Sequence, residues 1–321
     1  MKFDKPALTL EKQLEKWIGR GLIISNPDKA LHYLKHVGYY RFSAYTLPFQ
    51  DPGHADKHFR AGTTFDLVLS LYVFDRELRL LVMDTIERIE VAIRTYIVNE
   101  MSIPYGPHWF MDEQYFIPKP TDPTKQPFFT HEEFLNKLDE ELGIPPRGYA
   151  PLKPHNEVFI NHYYQKYGDP YLPPAWMVFE VISMNRMSHI FANLKNPDDR
   201  NRIASHFGVD EQVLQKWLHC LSYVRNVCAH HRRLWNLKLV IKPEVAKKHA
   251  ALVPQMDRDK FYAVAIFLHY LMGIIAPQSR WHERLASLMT KHSAGGLKAM
   301  GFPPDWKTQP FWGLQDGDFT I

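Results

Sequence analysis

With 321 residues, of which 45% are hydrophobic and 23% charged, the chain can bury a large core, which excludes a disordered or low-complexity polypeptide. A formal charge of +4 and a pI near 8.8 permit an anionic partner without requiring one, so charge alone does not point to nucleic acid. Cys220 and Cys228 are too few for a disulfide framework and sit eight apart on one predicted helix, so a reducing cytoplasmic compartment is expected. The N-terminus places an acid and a proline within its first six residues and lacks a signal-like apolar segment. The longest apolar run, residues 261 to 276, is shorter than a bilayer span and carries His269 and Tyr270, so it is expected as a buried helix with no membrane partner.

Residues 11 to 20 show helical charge patterning, and Pro27 with Asp28 opens a second short helix to His36. Gly38 then breaks the pattern before Tyr39, Tyr40, Arg41 and Tyr45, a set that suits either base stacking beside a cation or a packed aromatic corner. After a polar loop from 51 to 62, Thr64 caps the longest predicted helix. Leu67, Leu71, Phe74, Leu78, Leu81, Ile86, Ile89, Ile93 and Ile97 recur along it at steps of mostly three or four, leaving Asp75, Arg76, Glu87, Arg88 and Glu90 for other faces. It is expected to run to about residue 101 as a scaffold spine, with Arg79, Glu87, Glu90 and Arg94 in a charge ladder.

Six prolines between 104 and 129 predict a long surface excursion, and Thr130 with Glu133 has the spacing of a capping box that starts a helix to about Leu142. A second proline-rich loop follows at 145 to 154. No composition shift accompanies the prolines, so one helical domain over 1–321 with an insertion near 104–154 is preferred to two domains. Its parts are N-terminal helices and an aromatic corner (1–62), a core (63–250), and C-terminal helices with a docked tail (251–321). From 155 the pattern returns to helix, with Val158, Phe159, His162 and Tyr163, and ends before Gly168; Pro173-Pro174 opens a helix expected to carry apolar residues from Trp176 to Leu194. Glu180 on that helix calls for a partner, either an arginine or the candidate site described next. Asp198 and Asp199 start a short helix, Gly208 stops it, and Asp210 caps the next.

That next helix carries an apolar stripe of Val213, Leu214, Trp217, Leu218, Leu221, Val224 and Cys228, and ends on Arg225, Asn226, His230 and His231. Histidine moves protons near neutral pH and arginine grips phosphate through a planar fork, a combination suited to phosphodiester chemistry. The plain alternative is a helix C-terminus that attracts cations, closed by Trp235. Asn226 and His230, four apart, share a helical face, whereas Arg225 and His230, five apart, lie about 140° apart around the axis. Either the helix ends near Ala229 and His230 swings round, or a second copy completes the site. Beyond it, an amphipathic helix is predicted from Arg280 to about Lys291. The tail residues Pro303, Pro304, Trp306, Phe311 and Trp312 are expected to dock, on the body rather than on a second subunit.

Arg225, a polar residue, three residues and His230 resemble the motif of the HEPN superfamily of α-helical ribonucleases and nucleotide-binding proteins. The longer string R-N-V-C-A-H-H-R-R-L-W-N is similar to that of the Abi family, the AbiD/AbiF-like abortive-infection phage-resistance proteins. The blocks G-Y-Y-R-F-S-A-Y at 38 to 45, L-Y-V-F-D-R-E-L-R at 71 to 79, R-I-E-V-A-I-R at 88 to 94, P-A-W-M at 174 to 177 and M-G-F-P-P-D-W at 300 to 306 extend the resemblance over most of the chain.

The resemblance implies an all-α, HEPN-like helical bundle with additional N- and C-terminal helices. It further implies a metal-independent endoribonuclease that leaves 2′,3′-cyclic phosphate and 5′-hydroxyl ends, serving as a toxin in phage defence with no cofactor. His230 would move protons, Arg225 would hold the scissile phosphate and Asn226 would orient either; His231 and Glu180 are supporting candidates. Arg41, Arg232, Arg233 and Lys238 could track an RNA backbone. The implied partners are an RNA substrate, a small RNA antitoxin and a second copy in a homodimer whose motifs share a cleft. Two alternatives stand beside this: a module that binds RNA or a nucleotide without cutting it, and a metal site built from Cys228, His230 and His231 with His219 or Cys220 as a further ligand, which lacks paired-ligand spacing and a nearby acid.

Overall fold

The computed structural model describes Lys2 and residues 6–54, 56–118, 130–144, 153–245, 256–291 and 296–313. Among the described residues the fold is all-α: twelve α-helices with short 3-10 turns, and β pairing confined to isolated bridges such as Phe116 with Leu194. Three short helices, α1 (Leu10–Ile18), α2 (Pro27–Val37) and α3 (Tyr39–Thr46), precede α4 (Phe65–Tyr105).

The 41 residues of α4 span about 60 Å at 1.5 Å per residue. The helix starts where the Thr64 hydroxyl accepts the Leu67 N–H at 3.1 Å, satisfying one of the unpaired donors of the first turn. Its stripe of Leu71, Phe74, Leu78, Ile86, Ile89, Ile93 and Ile97 is fully buried. This spine is packed by α3, by α7 (Ala175–Val181) and α9 (Pro197–Ser205), by α10 (Glu211–Ala229), and by α11 (Phe261–Ile275) and α12 (Trp281–Lys291). Between them lie α5 (His131–Leu142), whose Thr130–Glu133 capping box forms, α6 (Val158–Lys166) and α8 (Met184–Asn193).

Polar side chains fix α9 against the end of α4. The Tyr105 hydroxyl donates to Asp199 at 2.9 Å, and Glu100 lies 2.7 Å from His206 Nε2 and accepts from Arg202 at 3.3 Å. The tail docks within the chain as expected. Trp306, Phe311 and Trp312 are buried, Trp312 donates to the Tyr262 hydroxyl at 3.1 Å, and its ring stacks on His269 at 4.9 Å. Among the described residues no single helix is long and apolar enough to cross a membrane, and α11 is buried along most of its length.

Three expectations need correction and a fourth is refined. The stretch after Pro104 is not all surface: α4 carries Pro104 in its last turn, and Trp109, Phe110 and Phe116 are core residues held by 3-10 turns, because aromatic burial outweighs local proline breaks. Residues 119–129 lie outside the described residues, as do 145–152 of the second proline-rich loop. The helix expected from Trp176 to Leu194 is two helices, because Ile182 is extended and the Ser183 hydroxyl caps α8 through the Arg186 N–H at 3.3 Å. The residues after Gly38 do form a packed aromatic corner, but as a helix: Tyr39 stacks on Trp17 at 4.8 Å, Phe42 stacks on Phe65 at 5.1 Å and Tyr45 is buried, while Tyr40 is exposed. Finally, Asp75 does not lie on an outer face of α4 but is completely buried.

Candidate functional site

The site is the C-terminal end of α10. Asp210 caps the start of the helix by accepting the Val213 N–H at 2.9 Å, and the expected apolar stripe is buried to Cys228. Burial pushes both cysteine thiols up to about 12, so Cys220 and Cys228 sit as protonated residues of the core. Among the described residues no three His, Cys, Asp or Glu side chains gather as a metal site.

The helix ends in a Schellman motif without a glycine. Arg232 N–H donates to Val227 O at 2.9 Å and His231 N–H to Cys228 O at 3.0 Å, while His231 takes a left-handed φ of 54°. A side chain in that conformation costs about 1–2 kcal/mol. His230, one residue earlier, still donates its N–H to Asn226 O at 3.1 Å with φ −85° and ψ 13°. It therefore continues the helical spiral and does not swing round toward Arg225.

Three ties from α3 and α4 hold the chain immediately after this cap. Arg41 donates to the His231 carbonyl at 2.5 Å, and Arg233 donates to the Ala44 carbonyl at 2.6 Å while its guanidinium lies 5.7 Å from the Trp235 ring centroid. Asp75 makes the third: one carboxylate oxygen accepts the Leu234 and Trp235 N–H groups at 3.0 and 2.5 Å, and the other accepts the Tyr45 hydroxyl at 2.6 Å and pairs with Arg79. Burial pushes the Asp75 carboxyl up against the opposing pull of Arg79, Tyr45 and the two backbone donors, and it also pushes the Tyr45 hydroxyl up.

Against this fixed backbone, the three motif side chains are uncommitted. Arg225 is half-buried, and Asn226 and His230 are exposed. Among the described residues none of the three side chains forms a hydrogen bond or ion pair. The same holds for exposed Arg232, whereas Lys238 approaches Asp259 at 3.7 Å. Glu180 is 55% exposed and pairs with Arg94 at 3.4 Å, which itself bridges to Glu90 at 3.1 Å, so its partner is a helix-bracing arginine. Arg41 and Arg233 serve first as ties between elements. Sequence reasoning missed Asp75, although Leu71, Asp75, Leu78 and Val82 occupy one helical stripe and Arg79 follows Asp75 by one turn.

No curated protein and no solved structure matches the chain. A family described as Abi-like protein matches residues 32–236, well over half of the sequence, a span that takes in α3, α4 and the whole of α10 with its cap. The chain belongs to this Abi-like protein family.

Proposed function

We propose that the protein is a metal-independent endoribonuclease of HEPN type, acting in the cytoplasm as an abortive-infection toxin. The observation that carries this is the end of α10, where Arg225, Asn226 and His230 have no side-chain partner among the described residues and sit on a rigidly held helix terminus in an Abi-like chain. RNA supplies its own nucleophile, so the protein need only move protons and stabilise charge on phosphorus. The 2′-hydroxyl gives up its proton and attacks the phosphorus, the bond to the 5′-oxygen breaks, and that oxygen leaves with a proton. His230 serves as the base or the acid, Arg225 braces the phosphate through charge-assisted hydrogen bonds, and Asn226 orients His230 or the phosphate. The products are a 2′,3′-cyclic phosphate and a 5′-hydroxyl end.

Because His230 stays on the helical spiral, Arg225 and His230 occupy flanks about 140° apart. This supports a composite site in which Arg225 of one protomer works with His230 of its partner across a homodimer. The same separation favours the second reading, a protein that binds RNA without cutting it. A small RNA antitoxin is the proposed partner that holds the toxin silent.

Cleavage of total cellular RNA by the purified protein in EDTA, beside Arg225→Ala and His230→Ala and with product ends mapped, tests this. Cyclic-phosphate ends from the wild type that vanish in both variants are expected. Equal cleavage by all three proteins would remove these residues from the site, and RNA binding without cleavage would favour the binding-only role.

A further inference from the structure

A groove of about 550 Å³ runs along the inner side of the α10 terminus, walled by α2, α3 and α4. Its exposed rim carries Arg41, Arg76, His36 and His231, and buried Arg79 lies beneath them. Among the described residues no carboxylate lines it. Tyr72 and Met83 supply a half-buried, apolar and aromatic wall. Cations over an apolar wall match a nucleotide, whose phosphate needs guanidinium donors and whose base needs a flat nonpolar surface. The volume falls within the roughly 300–1,000 Å³ of small-ligand pockets.

We infer that this groove holds the RNA strand next to the phosphate that Arg225 braces. The inference rests on the α10 terminus engaging RNA. Cys228 and Ala229, which line the groove, flank Arg225 in helical phase at about 60° and 40°, whereas His230 lies on the far flank. A strand braced at Arg225 therefore continues into the groove. A helix C-terminus ordinarily repels phosphate, because its last carbonyls carry partial negative charge. Here the Schellman hydrogen bonds occupy the Val227 and Cys228 carbonyls, and Arg41 covers that of His231.

Arg76 is the residue on which the inference turns. It is exposed, and among the described residues it has no hydrogen-bond or ion-pair partner, so substituting it leaves the fold intact. The probe is a fluorescein-labelled, fully 2′-O-methylated oligoribonucleotide of mixed sequence, which lacks the 2′-hydroxyl needed for cleavage. Anisotropy titrations over a salt series give Kd and its salt slope for the full chain, for Arg76→Gln, and for Lys12→Gln on exposed α1 as a control. Arg76→Gln should weaken binding about five- to tenfold and lower the slope by about 0.7, the share of one phosphate contact on a single strand. Lys12→Gln should match the wild type. Unchanged Kd and slope in Arg76→Gln overturn the inference, as does saturable binding of a nucleoside monophosphate with no affinity for the oligonucleotide.

Cleavage assays on the same proteins separate this from the nuclease proposal. His230-dependent cleavage combined with Arg76-independent binding sinks the groove and leaves the nuclease. Arg76-dependent binding by a wild type that never cuts RNA does the reverse.

Discussion

Asp75→Asn is the substitution that tests how the α10 terminus is held. The asparagine oxygen can still accept from Leu234 and Trp235, but its amide now faces the Tyr45 hydroxyl and the Arg79 guanidinium, both of which donate to the native carboxylate. Arg79, whose side chain is 8% exposed, is left as a buried charge without its partner. Breaking such a pair costs about 3–5 kcal/mol. At about 2–4 °C per kcal/mol that corresponds to a fall in Tm of about 6–20 °C. Adding Arg79→Met removes the stranded charge and keeps the stem packed, so the double variant should recover to within about 2 kcal/mol of wild type. Urea unfolding followed by tryptophan fluorescence gives the four corners of the cycle, and hydrogen exchange at the Leu234 and Trp235 amides reports the loosening directly. A single variant within about 1 kcal/mol of wild type, or costs that simply add in the double variant, would refute the buried ion-pair account.

His231→Gly removes left-handed strain at the cap and should stabilise the protein by about 0.5–1 kcal/mol, whereas His231→Val should destabilise it; the opposite order in urea midpoints would contradict the cap assignment. Burial, with His282 adding to it, pushes the His269 imidazole down to about 3. The unfolded chain then takes up a proton near pH 6.5 that the folded chain refuses, so this residue's stability is complete above 6.5 and falls by about 1.4 kcal/mol per pH unit below it. The drop in stability between pH 7 and pH 5 should shrink in His269→Phe, and an unchanged drop rules the residue out as its source. Glu100 is held below its usual value by hydrogen bonds from His206 and Arg202, and its window has the same sign at lower pH: its contribution is present above about 4.5 and lost as pH falls through the lowered value. Glu100→Gln should flatten the most acidic limb of the same curve. Mixing inactive Arg225→Ala with inactive His230→Ala should restore about a quarter of wild-type cleavage after subunit exchange, since half the dimers become mixed and each mixed dimer has one intact composite site; no recovery places both residues in one protomer.

Much of the fold was legible because it rests on periodicity and caps. The stripes of α4 and α10 and the caps at Thr64, Thr130 and Asp210 are local signals, and each forms where the pattern put it. The break at Ser183 was hidden because Ile182 and Met184 keep the apolar run going while the backbone turns out of helix. Asp75 was hidden because a charge at a stripe position looks like a face change unless its Arg79 partner and distant donors are known. The end of α10 was legible as a patch of reactive residue types, but its cap was not, since no glycine marks the left-handed position. Arg41 and Arg233 looked like free cations because their carbonyl partners lie far away in sequence, at His231 and Ala44.

The cap joins the stability and catalytic predictions. Ties from Arg41, Arg233 and Asp75 converge on residues 231 to 235, so His230 is fixed in the helical spiral from the C-terminal side as well as through its own N–H bond to Asn226. Two routes could bring His230 and Arg225 to one phosphate: uncapping, which lets His230 swing about its own helix, or a second copy presenting its His230 to a fixed Arg225. Loosening the cap has opposite effects on them. If uncapping were the route, Asp75→Asn would raise cleavage per folded molecule, because it lowers the cost of the swing. If the site is composite, the same substitution lowers cleavage, because a group that must meet a partner's phosphate works best when already held in place. The composite site therefore predicts a loss of activity in Asp75→Asn at temperatures where it is still folded, with partial recovery in the Asp75→Asn/Arg79→Met double variant.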